Sequence, residues 1–398
     1  MIVLPKIRGH ICTTAHPAGC ARHVQEQIDH VQKLGPIPAG PRKVLVIGAS
    51  TGYGLATRIA AAFGSGAATL GVFFERPAEG ERTATAGWYN TVAFEARARA
   101  QGLYAKSLNG DAFCDEMKAR TAELVRKDLG PLDMVVYSLA APRRTDPETG
   151  ETYRSVLKPV HGPFSNRSFD FRTCRISHVS LEQATADDVF QTVKVMGGED
   201  WQRWCDLLLS RRLLAPGCLT VAYSYIGPEV TYPIYRQGTI GAAKDHLERT
   251  ARELDVKFRA ISGRALVSVN KALVTQASAA IPFIPLYYVL LLKVMKEKGV
   301  HEGCIEQIDR LFRDRLYNGS RRDDITTDPE GRVRLDDLEL RADIQQEVME
   351  RWNKVSRTNV RQLGDVEGYN LDFLKLFGFG FPQVDYGADV DIDQPLHF

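Results

Sequence analysis

The 398-residue sequence lacks an excess of either charge: 51 basic residues face 49 acidic ones, and the two signs are interspersed. Without a basic stripe there is no electrostatic footprint for a nucleic acid or another polyanion. It also lacks a membrane-length hydrophobic run. The longest apolar stretch, Ala277 to Leu292, falls short of the roughly 20 residues a spanning helix needs and is broken by Pro282 and Pro285, so no membrane role is expected. The start, Met1 to His10, has no basic segment leading into a sustained apolar run and does not resemble a secretory signal. Seven cysteines, an odd number scattered from Cys12 to Cys304, exclude a disulfide framework and point to reduced thiols in the cytoplasm. No internal repeat is present.

Metal chemistry is not expected either. Cys12, His16 and Cys20 stand four residues apart, but structural zinc wants a fourth ligand and tighter pairs, and Pro17 and Gly19 interrupt any continuous helix. What the chain does have is 44% hydrophobic and 25% charged residues, the composition of a soluble globular enzyme with a large core.

Val44-Leu-Val-Ile47 is an apolar run suited to a buried parallel strand. It leads into Gly48-Ala49-Ser50-Thr51-Gly52-Tyr53-Gly54 and a helical pattern from Leu55 to Phe63. Further strands are expected at Ala68–Phe74, Tyr104–Leu108, Met134–Ser138 and Leu219–Ser224, with helical sequence between them. The alternation predicts an α/β fold with a Rossmann-type doubly wound parallel sheet. Residues 1–40 form an N-terminal extension with a helix over Cys20–Leu34. Residues 41–299 form the core, with a hairpin-containing insertion near 143–184, and residues 300–398 a C-terminal helical extension, all in one enlarged domain. Ile344, Val348 and Trp352 would share a helix face, the aromatic segment Leu371–Phe381 would dock, and Asp389–Phe398 would fray.

The glycine cluster Gly48, Gly52 and Gly54 lies between a strand and a helix. There, missing side chains let the backbone approach a pyrophosphate and the helix N-terminus supplies N–H donors. Glu75 follows the second strand, where a carboxylate accepts hydrogen bonds from ribose hydroxyls and repels a 2′-phosphate, so NADH is favoured over NADPH. Arg76 beside it is compatible with a phosphate. Asp111 and Ala112 follow the third strand, where the carboxylate would meet the adenine amino group. Leu139 and Ala140 follow the fourth, where small side chains let the backbone pass the ribose.

Tyr235 and Lys244 are separated by eight residues, Tyr235-Arg-Gln-Gly-Thr-Ile-Gly-Ala-Ala-Lys244. An ammonium near a phenol strengthens it as a donor toward a developing oxyanion, which suggests nicotinamide chemistry on a polarised carbonyl. Nine helical steps would span roughly 13 Å, so the tips meet if Tyr235 precedes the helix and Lys244 lies inside it. Pro233 and Gly238 fit such an entrance. Tyr225, after Leu219–Ser224, stands where α/β sheets place chemistry.

Together, Cys12-Thr-Thr-Ala-His-Pro-Ala-Gly-Cys20, the Gly48–Gly54 turn, the wide Tyr235-x8-Lys244 spacing and the segment Thr275–Pro282 resemble the FabV-type trans-2-enoyl-ACP and trans-2-enoyl-CoA reductases. These are enlarged members of the short-chain dehydrogenase/reductase superfamily, and the resemblance extends over the whole chain. It implies NADH contacts from Gly48 through Tyr53, at Phe74 and Glu75, at Asp111 and Ala112, at Leu139 and Ala140, at Lys244, and at Leu273, Val274 and Thr275. It further implies Tyr235 as proton donor, Lys244 lowering the phenol's pKa, and Tyr225 as a second donor at the substrate carbonyl. The apolar segment Ala277–Leu292 would cover the acyl chain. The partner would be an enoyl thioester on acyl carrier protein or CoA, and the protein a monomer. Two other readings stay open on the residues: a carbonyl (3-oxoacyl) reductase, and a non-catalytic NADH-binding sensor.

Overall fold

The computed structural model describes residues 1–8, 11–275, 278, 281, 283–319 and 321–396. Seven strands form the central sheet: β1 Lys43–Ile47, β2 Ala68–Phe73, β3 Ala105–Asn109, β4 Leu132–Tyr137, β5 Leu214–Ser224, β6 Arg264–Val269 and β7 Arg332–Arg334. Their spatial order is β7-β6-β5-β4-β1-β2-β3, and every neighbouring pair is parallel. The chain runs outward from β1 in both directions, so a crevice opens between β1 and β4 at the carboxyl ends of the strands.

The strands are apolar on both faces because both faces are covered. Val44 and Val46 pack with Val24, Ile28, Leu55, Ile59, Phe94 and Ile308, from helices Pro17–Lys33, Gly52–Ile59, Ala86–Ala100 and Cys304–Arg310. Leu45 and Ile47 face the other way, toward Met117, Trp201, Trp204, Leu247 and Phe258 from helices Asp115–Leu124, Glu199–Ser210 and Thr239–Arg259. A third core surrounds helix Ile284–Glu297, against which Ile344, Val348 and Trp352 of helix Ala342–Lys354 and Tyr369 and Phe373 of helix Val366–Lys375 are buried. Among the described residues no helix is long and apolar enough to cross a membrane.

Several expectations needed correction. β6 and β7 were not anticipated, and β7 places a short sheet strand inside the expected C-terminal helical extension. Within the insertion the hairpin pairs Phe164–Asp170 with Arg175–Leu181, and a smaller ladder joins Arg143–Thr145 to Thr152–Arg154. The tail does not fray up to residue 396. The Met1 amine donates to the Val390 carbonyl (2.7 Å), Trp88 Nε1 to Gln394 (2.8 Å) and the Tyr89 hydroxyl to Ile392 (2.8 Å), so the backbone polar groups of the tail find partners in the body. His397 and Phe398 lie outside the described residues, as do Ala277, Ala279, Ala280 and Pro282 of the expected substrate-covering segment. The Cys12, His16, Cys20 cluster has a structural role: His16 Nδ1 accepts the Gly19 N–H (3.2 Å) and caps helix Pro17–Lys33.

Candidate active site

The turn after β1 is built for close backbone approach. Gly48 has φ +86°, and a Cβ there would overlap the Ser138 carbonyl that follows β4. A Cβ on Gly54 would overlap the Gly48 carbonyl, which lets helix Gly52–Ile59 start directly against the turn. Gly52, at φ +54°, borders open space instead. The helix cap, Thr51, makes no side-chain capping bond, and no acidic residue occupies the first turn. The first amides, together with the positive end of the helix dipole, therefore offer an anion a site.

The other expected cofactor residues sit along the same edge of the sheet. Phe74 and Glu75 follow β2, Asp111 and Ala112 follow β3, Leu139 and Ala140 follow β4, and Leu273–Thr275 come shortly after β6. Phe74 is 74% exposed, although the strand before it is buried. Glu75 Oε1 accepts from Ser50 Oγ (2.7 Å), and its backbone is clasped by the Asn109 amide through two 2.9 Å bonds. Gly87 has no side chain because a Cβ would run into that carboxylate. Burial pushes the Glu75 carboxyl up, opposed by hydrogen bonds from Thr85 and Ser50 and by Arg76. Asp111 Oδ1 accepts the Phe113 N–H (2.9 Å), and the Ala112 carbonyl accepts from Lys118 Nζ (3.0 Å) and Trp204 Nε1 (3.2 Å). Tyr53 points toward β6, its hydroxyl donating to the Lys271 carbonyl (3.0 Å). Ser278 ties the loop together by donating to the Leu273 carbonyl (2.8 Å) and accepting the Thr275 N–H (2.9 Å).

Tyr235 precedes helix Thr239–Arg259, whose cap is Gly238, and Lys244 lies within it, as the spacing required. Tyr235 is 8% exposed in an apolar cluster with Ile234, Phe283 and Ile284, walled by Phe164, Val179 and Leu181 of the hairpin. Phe283 holds φ +71°, a conformation a bulky residue adopts only under constraint, and its ring meets Phe164 edge-on at 5.4 Å. The Tyr225 ring stands edge-on to Tyr235, 5.0 Å between centroids. Neither the Tyr235 hydroxyl nor the Lys244 ammonium has a hydrogen-bond or ion-pair partner among the described residues, leaving both tips free for a ligand.

One electrostatic finding differs from expectation. The Tyr235 phenol is raised, first by burial and then by the Glu339 charge, with no lowering by Lys244. A buried phenol held well above its ordinary pKa stays protonated at neutral pH, which suits a donor. Burial pulls Lys244 down to about 8, opposed by Glu248.

Glu339 is the residue that sequence reasoning missed. It is fully buried, and its Oε1 accepts from Tyr225 (3.1 Å) and from Tyr287 (2.7 Å), while Oε2 accepts the Ala272 N–H (2.7 Å). A phenol has one hydrogen, so in this arrangement Tyr225 directs it at Glu339 rather than at a substrate carbonyl. No local signal marks a lone glutamate in a polar segment.

The glycine-shaped turn, the uncapped helix start and the strand-end carboxylate fit a dinucleotide. At the ends of β5 and β6, Ser224 Oγ and Asn270 Nδ2 are buried without a hydrogen-bond partner among the described residues, polar atoms of the kind a bound group satisfies.

Three sequence models match the chain. They are described as the NAD(P)H binding domain of trans-2-enoyl-CoA reductase (residues 2–80), the trans-2-enoyl-CoA reductase catalytic region (residues 82–317) and the enoyl reductase FAD binding domain (residues 327–390). The residues of the third segment do not fit a flavin. Val333 of β7 is buried in the sheet, and Ile344, Val348, Trp352, Tyr369 and Phe373 pack around helix Ile284–Glu297 rather than lining a cradle. The chain is 57% identical to an NADH enoyl-[acyl-carrier-protein] reductase of Coxiella burnetii, over 100% of this chain and 97% of that one. It is 56% identical to an NADH trans-2-enoyl-CoA reductase of Ruminiclostridium cellulolyticum, over 99% and 98%. The crystal structure of Treponema denticola trans-2-enoyl-CoA reductase in complex with NAD superposes with a TM-score of 0.95 at 49% identity, covering 100% of both chains. On the catalytic-region match and these full-length similarities, the chain belongs to the trans-2-enoyl-CoA and enoyl-acyl-carrier-protein reductase family.

Proposed function

We propose that this oxidoreductase reduces the trans-2 double bond of enoyl thioesters carried on acyl carrier protein or CoA, with Tyr235 as proton donor and Lys244 as a cofactor-binding residue. The carrying observation is that Tyr235 sits in a buried apolar cluster at the same sheet edge as the glycine turn. NADH, when bound, supplies hydride to Cβ of the substrate. The chain's own groups then manage the enolate that results. The neutral Tyr235 hydroxyl donates to the enolate oxygen or protonates Cα, and the surrounding Ile234, Phe283 and Ile284 exclude water and strengthen that interaction. The hairpin residues Phe164, Val179 and Leu181 give an acyl chain an apolar wall, which favours an acyl thioester over a small ketone. The Glu75 carboxylate, Ser50 and the Gly48–Tyr53 turn support NADH rather than NADPH binding, with Phe74, Asp111, Ala112, Leu139, Ala140 and Leu273–Thr275 completing the contacts. Both carriers are proposed because relatives named for each are equally similar. Seven free cysteines support a cytoplasmic protein, and we read it as a monomer built as one enlarged domain.

The test follows loss of NADH absorbance with crotonyl-CoA, a longer trans-2-enoyl-CoA and an enoyl-ACP, with the product identified by mass. Saturated thioester is expected, with NADPH at least about tenfold poorer in kcat/KM and Glu75→Ala narrowing that gap. A hydroxylated product, or folded protein that binds NADH but turns over no thioester, would sink the assignment.

A pH dependence follows from Lys244. Its folded pKa, about 8, lies below the ordinary lysine value, so the ammonium is complete below that pH and is lost above it. NADH affinity should stay level up to about pH 8 and weaken above it in wild type. In Lys244→Met it should be weaker throughout and flat. For stability the sign is opposite: the unfolded chain holds this proton more tightly, so the contribution of this group to stability rises with pH above 8. Titrating NADH by fluorescence quenching across pH checks the binding half.

A further inference from the structure

We propose that Glu339 is a positioning residue for the reductase site, one buried carboxylate that locks Tyr225 and the backbone of the Ala272 loop into a single unit. This rests on the reading of Tyr235 as donor. The geometry is specific: one carboxylate oxygen takes two tyrosine hydroxyls, from the strand end after β5 and from helix Ile284–Glu297, and the other takes the amide leading into Leu273–Thr275. Glu339 is itself held, because the Gln345 side-chain amide donates to its carbonyl (2.7 Å) and to the Tyr287 hydroxyl (3.1 Å). Tyr287 thus accepts from Gln345, and its own hydrogen goes to Glu339. Burial pushes the Glu339 carboxyl up, while its hydrogen bonds and the buried Lys271 favour the ionised form and Asp336 opposes it.

The consequence reaches the chemistry through Tyr225, whose ring packs edge-on against Tyr235. With its hydrogen committed to the Glu339 carboxyl oxygen, Tyr225 is held in place and leaves its oxygen lone pairs for the pocket. The same carboxylate touches the amide of Ala272, so substrate-side tyrosine and nicotinamide-side loop are registered to each other through one group. That connection comes from residue 339, in the segment matched to a flavin domain by description.

Glu339→Gln separates the two links. Its amide oxygen can still accept the Ala272 N–H, but its NH2 then faces the tyrosines and reverses the bond to Tyr225. NADH KM is therefore expected to stay within about threefold, while kcat falls about tenfold or more. The double variant Glu339→Gln/Tyr225→Phe should be no slower than the worse single variant, because both remove the same interaction. A kcat for Glu339→Gln within about twofold of wild type, or single-variant losses that multiply in the double, would overturn the proposal. Should Glu339→Gln fail to fold, Tyr287→Phe decides: a kcat loss of about threefold or more at unchanged NADH KM supports the assignment, and a smaller loss overturns it. Tyr235→Phe runs in parallel. If it stays active, the donor reading falls and the inference with it; if it is inactive while Glu339→Gln is unaffected, only the inference falls.

Discussion

Tyr235→Phe should lower kcat with an enoyl thioester by about 10²–10⁴-fold, the usual contribution of a positioned general acid, while NADH affinity stays within about twofold. The substitution removes one oxygen from a ring that is 8% exposed in an apolar cluster. Phenylalanine fills the same space, and no described residue loses a hydrogen-bond partner, so the stability cost of an orphaned polar group does not arise. Because the phenol is raised by burial and by Glu339, its proton is present throughout the neutral range, and the variant's deficit should not be recovered by lowering the pH. Single-turnover kinetics on NADH-loaded enzyme measure the loss directly. A variant within a few fold of wild type would move proton donation to another group.

Gly48→Ala should both destabilise the protein and abolish productive NADH binding. At φ +86° an L-residue meets the left-handed penalty of roughly 1–2 kcal/mol. The added methyl must also displace the Ser138 carbonyl, which belongs to backbone and cannot rotate away, at an overpacking cost of about 1–3 kcal/mol. Together these give about 2–5 kcal/mol, visible as a lower urea midpoint with an unchanged slope. The relief available to the chain is to part the ends of β1 and β4, which would dislocate the turn we propose receives the pyrophosphate. NADH Kd should rise about 100-fold or more. An alanine variant with wild-type midpoint and Kd would show that the turn has slack.

The parts of this fold that were legible in the sequence are those whose signal is local. β1 announced itself as four apolar residues before a glycine cluster, because a strand buried on both faces has no polar alternation to interrupt it. Within the helix expected over Cys20–Leu34, Val24, Ile28 and Val31 recur at the spacing of one helix face, and all three are fully buried. Tyr235 and Lys244 were readable because a helix entrance between them is written in Gly238. β7 was not, since Arg332-Val-Arg334 is a strand only through pairing with β6, its arginines engaged by Asp328 and Asp336. Glu339 was invisible for the same reason: a carboxylate in Leu338-Glu339-Leu340 looks solvated until the third core closes over it. The sign of the Tyr235 shift differs because burial raises the phenol first and Glu339 adds to it, whereas the sequence offered only Lys244 as the nearby charge.

The seventh strand and the carboxylate beneath Tyr225 have a consequence for the order of synthesis. The nucleotide turn and the Tyr235 segment leave the ribosome long before residues 332–339 do, yet the sheet edge and the tyrosine anchor wait for those residues. A nascent chain can therefore close the β1–β4 crevice early, but it acquires its finished substrate side only when the C-terminal segment folds back over helix Ile284–Glu297. Until then Tyr225, the ring that stands edge-on to Tyr235, lacks the carboxylate that takes its hydrogen.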